Sequence, residues 1–262
     1  MRQEIVGLGV DAGSTTTKLV GVDGRGERIF DRIEPTRPQL QLQVKGLLAV
    51  ARASGAKEGT PVVATGYGRK LVEDADKRVT EITCHARGVF RSVHHGGTLI
   101  DIGGQDAKAI RFDDKGAVQD FAMNDKCAAG TGRFLEVVAG RLGHDLDEFA
   151  HLAANAGETT AISSTCTVFA ESEIISLIAQ GETIEAIARG LHTSLMGRIA
   201  ALARSVTVTP PLLLSGGVAR SPAAQRYLGE ALGLPVEVPE GPQLMGAYGA
   251  ALMALDIADG RG

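Results

Sequence analysis

The sequence predicts an α/β protein of two compact lobes, each grown from a copy of the same half. Three observations lead there. Short apolar, β-branched runs alternate with helical patterns; one strand–turn–strand segment occurs twice; and glycine supplies 34 of 262 residues, about 13% and roughly twice the usual share. These glycines concentrate in tight turns behind apolar runs, the composition of a nucleotide site, where backbone must bend sharply or lie against a ligand.

Taken in order, strands are expected at 6–10, 18–22, 62–64, 98–102, 109–112 and 212–214, each a short apolar run of three to five residues. Helices are expected at 40–54, 133–142, 171–180, 183–206 and 243–255, where apolar residues recur at spacings of three and four. No proline-rich linker or low-complexity tract interrupts the chain. The boundary therefore falls within the fold, near residues 90–98, where His94-His95-Gly96-Gly97 precede a new strand. This gives a first lobe over 1–95 and a second over 96–262, with a C-terminal helix able to pack back on the first.

Composition narrows the function. A hydrophobic share of 44% and a charged share of 22% are those of a globular chain, which excludes disorder and fibrous structure. The net charge of -4, with no basic cluster, argues against nucleic acid. No apolar stretch approaches the ~20 residues of a membrane span and no signal peptide opens the chain, so a cytoplasmic location is expected. Three cysteines in a reducing compartment point to metal or redox chemistry, not cross-linking.

The repeat is the strongest internal signal. Asp11-Ala-Gly-Ser-Thr-Thr-Thr-Lys18 aligns without a gap on Asp101-Ile-Gly-Gly-Gln-Asp-Ala-Lys108 at an offset of 90, and the match continues through Asp23/Asp113 and Gly26/Gly116. In both copies an apolar strand ends in Asp-x-Gly, turns, and returns with a lysine at the same place. Two such loops facing each other across a cleft would make a nucleotide clamp. Polyphosphate needs N–H groups, hydroxyls and a carboxylate or two for Mg²⁺ or its waters. Gly13 with the hydroxyls of Ser14, Thr15, Thr16 and Thr17, and Lys18 as a point charge, supply the first loop; Gly103, Gly104, Gln105 and Asp106 supply the second. Asp11 and Asp101 are the metal carboxylates, and Asp11, Asp101 or Gln105 would position the hydrolytic water. Lys108 is read as flanking its strand. No G-x-x-x-x-G-K-[ST] is present, which excludes a P-loop enzyme.

A third element follows the run Pro211-Leu-Leu-Leu214. In Ser215-Gly216-Gly217-Val218-Ala219 bare backbone can lie against base and ribose, and Gln243, opening the last helical pattern, can hydrogen-bond a ribose or base. Together the three elements resemble the phosphate-1, phosphate-2 and adenosine motifs of the actin, Hsp70 and sugar-kinase superfamily. That resemblance implies a ribonuclease-H-like two-lobed ATPase fold with ATP·Mg in the cleft.

Cys127 and Cys166 each precede a helical pattern, where dipole and unpaired N–H groups favour thiolate. Their separation of 39 residues, with no C-x-x-C, does not suit a self-contained site of four ligands. Two per chain become four in a symmetric dimer. Cys84 has no nearby partner and reads as a buried thiol, His85 as a structural histidine, and the Glu171, Glu173 pair as carboxylates opening a helix.

The flanking segments Asn124-Asp-Lys-Cys-Ala-Ala-Gly-Thr-Gly-Arg-Phe-Leu135 and Ile162-Ser-Ser-Thr-Cys-Thr-Val-Phe-Ala-Glu-Ser-Glu173 resemble the cysteine segments of the 2-hydroxyacyl-CoA dehydratase activators, the component A proteins related to the ATPase subunits of benzoyl-CoA reductase. Ala64-Thr-Gly-Tyr-Gly-Arg69 and Cys84-His-Ala-Arg-Gly88 match as well, and the likeness runs from about residue 5 to 255. The resemblance implies a homodimer in which Cys127 and Cys166 of both subunits hold one [4Fe–4S] cluster. It further implies an electron taken from reduced ferredoxin or flavodoxin and passed, at the expense of ATP, to a dehydratase partner. The Gly103-Gly-Gln-Asp106 loop favours the homodimeric activators, while Arg87 is shared with the reductase-type subunits. A sugar-kinase-like phosphotransferase is the alternative of another class; it would need no cysteines at helix starts. An actin-like assembly ATPase fits neither the length nor the cysteines.

Overall fold

The computed structural model describes residues 4–124, 127–164 and 166–261. In chain order its elements are β1 (Gly7–Ala12), β2 (Thr16–Val22), β3 (Arg28–Pro35), α1 (Leu40–Ser54), β4 (Val62–Thr65), β5 (Lys77–Arg78), α2 (Glu81–Val93), β6 (Gly97–Ile102), β7 (Ala107–Phe112), β8 (Val118–Asn124), α3 (Gly132–Arg141), α4 (Leu146–Asn155), α5 (Thr167–Ala179), α6 (Ile184–Arg204), β9 (Leu212–Ser215), α7 (Pro222–Leu232), β10 (Val236–Glu237) and α8 (Met245–Ala258). They form two compact units: Met1–Gly96 with Phe112–Val118 and Gln243–Gly262, and Gly97–Arg111 with Gln119–Pro242.

Each unit holds one five-stranded sheet. The first has the order β3-β2-β1-β4-β5; the second, read from its far edge, has β8-β7-β6-β9-β10. The two orders are the same, so the repeat legible in the Asp-x-Gly segments extends to whole sheets. In the first unit β1, β2 and β3 are antiparallel, with β4 and β5 parallel to β1; in the second, β9 is parallel to both β6 and β10.

On one face of the first sheet, α1 buries Leu40, Val44, Leu47, Leu48 and Ala51 against Leu8, Val10 and Leu19. On the other, α8 approaches β1 so closely that a Cβ at Gly9 would lie 2.0 Å from the Ala247 carbonyl oxygen. Gly249 of α8 is pressed as tightly on α2, where a Cβ would meet the Cys84 carbonyl at 1.8 Å. Part of the glycine excess therefore serves helix contact and not the nucleotide loops. This contact places residues 243–262 with the first unit: a small-residue helix is held where backbone can touch backbone.

The core of the second unit surrounds α6, with Leu191, Leu195 and Ile199 packed among Phe134, Phe149, Leu214 and Leu228. Within it His192 is buried, its ring 5.7 Å from that of Phe149 and its Nδ1 2.9 Å from the Ala188 carbonyl, as a neutral imidazole requires. Burial pulls its pKa down from 6.5 to about 4. Between these values the unfolded chain takes up a proton that the native chain refuses, so this stability is full above pH 6.5 and declines toward pH 4. Denaturant unfolding at stepped pH should show His192→Gln losing about one proton of the wild-type slope in that window; identical slopes would contradict it.

Expected elements appear with shifted ends: α5 begins at Thr167, four residues before the expected start at 171. The structure adds β3, β5, α2, β8, α4, α7 and β10, which the periodicity reading passed over.

Candidate functional site

In the first unit the β1–β2 register sets Asp11 opposite Lys18 and Ala12 opposite Thr17. Opposed residues share a face, so Lys18 Nζ donates to Asp11 Oδ2 at 3.0 Å. Thr17 falls on the other face. It is fully buried, its hydroxyl 3.0 Å from that of Thr36, and is thus a brace for the turn, not one of the expected phosphate hydroxyls. Thr36, which the motif reading missed, also donates through its hydroxyl to the Gly13 carbonyl at 2.7 Å and through its backbone N–H to that of Thr15 at 3.0 Å. Ser14 and Thr15 are left exposed at the apex, with Thr16 half-buried. Behind the turn Asp11 is only 5% exposed. A Cβ on Gly246 would lie 2.7 Å from His85 Nε2 and 3.4 Å from Asp11 Oδ2, so α2 and α8 close over the carboxylate with no room for a side chain.

The second unit repeats the pair and extends it. Asp101, 3% exposed, accepts from Ser215 Oγ at 2.8 Å and from Lys108 Nζ at 3.4 Å. Lys108 Nζ also donates to Asp106 Oδ2 at 2.6 Å, with only 2% of its side chain exposed. Lys108 does more than flank β7: it is the counter-ion of two carboxylates, a group of net charge -1 that suits a cation. Gly103 N–H closes the turn on the Asp106 carbonyl at 2.9 Å, and Gln105 stands exposed at its apex.

Because β6 and β9 run parallel with Asp101 opposite Ser215, the residues after both strands emerge at one sheet end, where ligands of such sheets bind. Gly216 turns there with φ +87°; a Cβ would lie 2.3 Å from the Ile102 carbonyl and 3.0 Å from Asp101 Oδ1. Its N–H donates to the Pro242 carbonyl at 3.0 Å. The glycine is therefore demanded by backbone geometry before any ligand is considered. Gly217 is exposed and Val218 half-buried, its Cγ2 3.0 Å from where a Cβ on Gly132 would stand. The second unit thus gathers Asp101, Gly103, Gly104, Gly216 and Val218. Gln243 lies in the first unit, in the single 3₁₀ turn Pro242–Leu244 before α8.

The cysteines split as expected by burial. Cys84 is buried, and burial pushes its thiol up to about 12, so it stands as a neutral thiol at neutral pH. Cys127 and Cys166 are exposed free thiols. Cys166 is the N-cap of α5, whereas a 3₁₀ turn, Ala128–Gly130, separates Cys127 from α3. The neighbouring Asp125, Lys126 and Thr165 of the cysteine segments lie outside the described residues. Since α5 opens at Thr167, Glu173 sits in its second turn and does not cap it. Its carboxylate accepts from Ser163 N and Oγ at 2.8 and 2.7 Å and from Ser164 N at 2.8 Å, pinning the loop before Cys166. Partial burial alone would raise its pKa, but these bonds outweigh that and hold it at about 2.

Among the described residues, no group of three or more His, Cys, Asp or Glu could hold a metal ion. Two exposed, soft thiols at helix or turn starts therefore suit half of a four-thiolate centre and no complete mononuclear one.

Sequence reasoning missed the link between this turn and the phosphate loop. Thr131 is fully buried, and its hydroxyl lies 3.1 Å from the Gly104 carbonyl and 2.8 Å from that of Ala128. Gly132 N–H donates to Gly103 at 2.9 Å and Arg133 N–H to Gly104 at 3.0 Å. The start of α3, five residues after Cys127, is bolted to the Asp101–Asp106 loop.

Comparison with known proteins identifies the family. A model of the BadF/BadG/BcrA/BcrD ATPase family matches residues 8–254. The activator of lactoyl-CoA dehydratase from Anaerotignum propionicum is 44% identical over 96% of this chain and 98% of its own. The structure of the activator of the 2-hydroxyisocaproyl-CoA dehydratase from Clostridium difficile, with bound ADPNP, superposes with a TM-score of 0.91 at 41% identity, covering 97% and 96% of the two chains. Component A of the (R)-2-hydroxyglutaryl-CoA dehydratase of Acidaminococcus fermentans gives 0.92 at 38% identity, covering 98% and 100%. A ROK family glucokinase from Streptomyces griseus, at 16% identity and a TM-score of 0.57, covering 94% and 98% of the two chains, shares the fold alone.

Proposed function

Because the chain belongs to the BadF/BadG/BcrA/BcrD ATPase family, we propose that it is the ATP-driven activator of a 2-hydroxyacyl-CoA dehydratase, passing single electrons through a [4Fe–4S] cluster shared by a homodimer. The observation that carries the reading is the hydrogen-bonded join of Gly103 and Gly104 to Thr131, Gly132 and Arg133. Residues assigned to phosphate are thereby hydrogen-bonded to the segment that follows Cys127, a contact through which ATP could be coupled to an electron.

In this reading Gly13, Ser14, Thr15, Thr16 and Lys18 on one turn and Gly103, Gly104, Gln105 and Asp106 on the other hold the polyphosphate. Gly216, Gly217, Val218 and Gln243 hold the nucleoside. Asp11 and Asp101 would hold Mg²⁺, and they or Gln105 would orient the water that attacks the γ-phosphate. Mg²⁺ would neutralise charge developing on the phosphoryl oxygens. Cys127 and Cys166 would bind the cluster with the same pair of a second copy. When bound, the cluster supplies one-electron carriage between reduced ferredoxin or flavodoxin and the dehydratase. The second copy is supported by α5, which leaves Val168 and Phe169, beside Cys166, about 70% exposed, with Ile175 and Ile178 exposed further along.

A sugar kinase has no use for this join or for two exposed thiols. The experiment is to follow iron loss to a chelator, under anaerobic conditions, with no nucleotide, with ADP and with a non-hydrolysable ATP analogue. The expected rates differ among the three states, and by reciprocity cluster oxidation shifts nucleotide affinity. Equal rates, with affinity indifferent to oxidation, would leave an ATPase with an inert metal centre.

A further inference from the structure

We infer that Arg198 is a positioning residue that fixes the separation of the two cysteine loops, so that one chain presents Cys127 and Cys166 as a preassembled half-site. The inference rests on the cluster reading above and deepens it. Arg198 reaches from α6 with Nη1 donating to the Ala129 carbonyl at 2.8 Å and Nη2 to the Ser164 carbonyl at 3.0 Å. Ala129 stands two residues after Cys127, and Ser164 two before Cys166. A third bond to Ser194 Oγ at 3.2 Å and the Phe134 ring, 5.0 Å beneath the guanidinium carbon, hold the fork in place.

The Ser164 residue is gripped twice: its N–H by the Glu173 carboxylate and its C=O by Arg198. Both bonds are charge-assisted, roughly twice as strong as neutral ones. The planar fork serves the two carbonyls from separate nitrogens at a fixed spacing; a lysine ammonium keeps the charge but not that spacing. Burial pulls the guanidinium pKa down while charge on Cys127 pushes it up, which agrees with a cation facing the sulfur site.

The test uses the full chain in a Cys84→Ser background. Cluster-free protein is treated with bis-maleimides of graded length, and the intrachain Cys127–Cys166 product is measured by mass spectrometry. Wild type should prefer one length. Arg198→Met should lose that preference and cross-link about 10-fold more slowly, with ATP affinity unchanged. Iron retained after anaerobic reconstitution should fall by about 10–100-fold, the usual effect of losing an outer partner of a metal site. Arg198→Lys should not restore either readout, and Glu173→Gln should shift the length preference in the same direction.

Unchanged cross-linking in Arg198→Met overturns the inference whatever the iron content; if that variant does not fold, unchanged cross-linking in Glu173→Gln overturns it. A wild-type protein that takes up no iron, with cross-linking still dependent on Arg198, would instead overturn the cluster reading and leave the clamp standing.

Discussion

Asp101→Asn is expected to lower the ATPase rate by about three orders of magnitude, the loss of ~4 kcal/mol of transition-state stabilisation. The variant is chosen to keep the fold. An asparagine oxygen can still accept from Ser215 Oγ, and Lys108 keeps its 2.6 Å partner Asp106, so no buried charge is left alone. What is lost is the negative oxygen proposed to attract a divalent cation and polarise its water. Asp11→Asn should act in the same direction but with a larger cost in stability, because Lys18 Nζ has its 3.0 Å partner in Asp11. Steady-state phosphate release, with nucleotide affinity measured in parallel, separates turnover from binding. Wild-type turnover in both variants would refute the assignment of the two carboxylates.

Cys127→Ser and Cys166→Ser should each abolish bound iron and sulfide, whereas Cys84→Ser should retain both. The basis is exposure: two thiols reach solvent, while the third is buried and held as the neutral thiol by a pKa of about 12. Anaerobically purified wild type should contain about four irons per dimer, the content of one Cys₄ cluster. Serine replaces a soft sulfur by a hard oxygen that iron–sulfide chemistry does not favour. Neither cysteine packs in the core, so both variants should unfold as wild type does. Stoichiometric zinc without sulfide, or bleaching by Cys84→Ser alone, would each defeat the ligand assignment.

Several elements were present as local signals that periodicity alone did not weigh. Helix α4 opens with the Asp145/Glu148 capping box and α7 with Ser221 before Pro222. Helix α2 has a Thr80 cap, but Gly88 and its β-branched residues weaken the pattern; its place is set by contact with α8, where a Cβ on Gly88 would lie 2.1 Å from the Met245 carbonyl. Strand β3 mixes charged and apolar residues without a clean alternation and buries only Phe30, so it carries no period-two signal.

The sequence by itself determined the α/β class, the repeat at an offset of 90, the two turns with their carboxylates and the pair of cysteines set apart from Cys84. These are local or periodic facts, written in neighbouring residues. Only the tertiary structure decided which face each hydroxyl takes, setting Thr17 apart from Ser14 and Thr15; that Lys108 pairs with both Asp101 and Asp106; and how closely α8 packs on β1. It alone joined Thr131 to Gly104 and Arg198 to both cysteine loops. Such partners lie 27 to 69 residues apart, and which of many chemically equivalent carbonyls a hydroxyl or guanidinium finds is settled by how strands register and helices pack, information that no spacing carries.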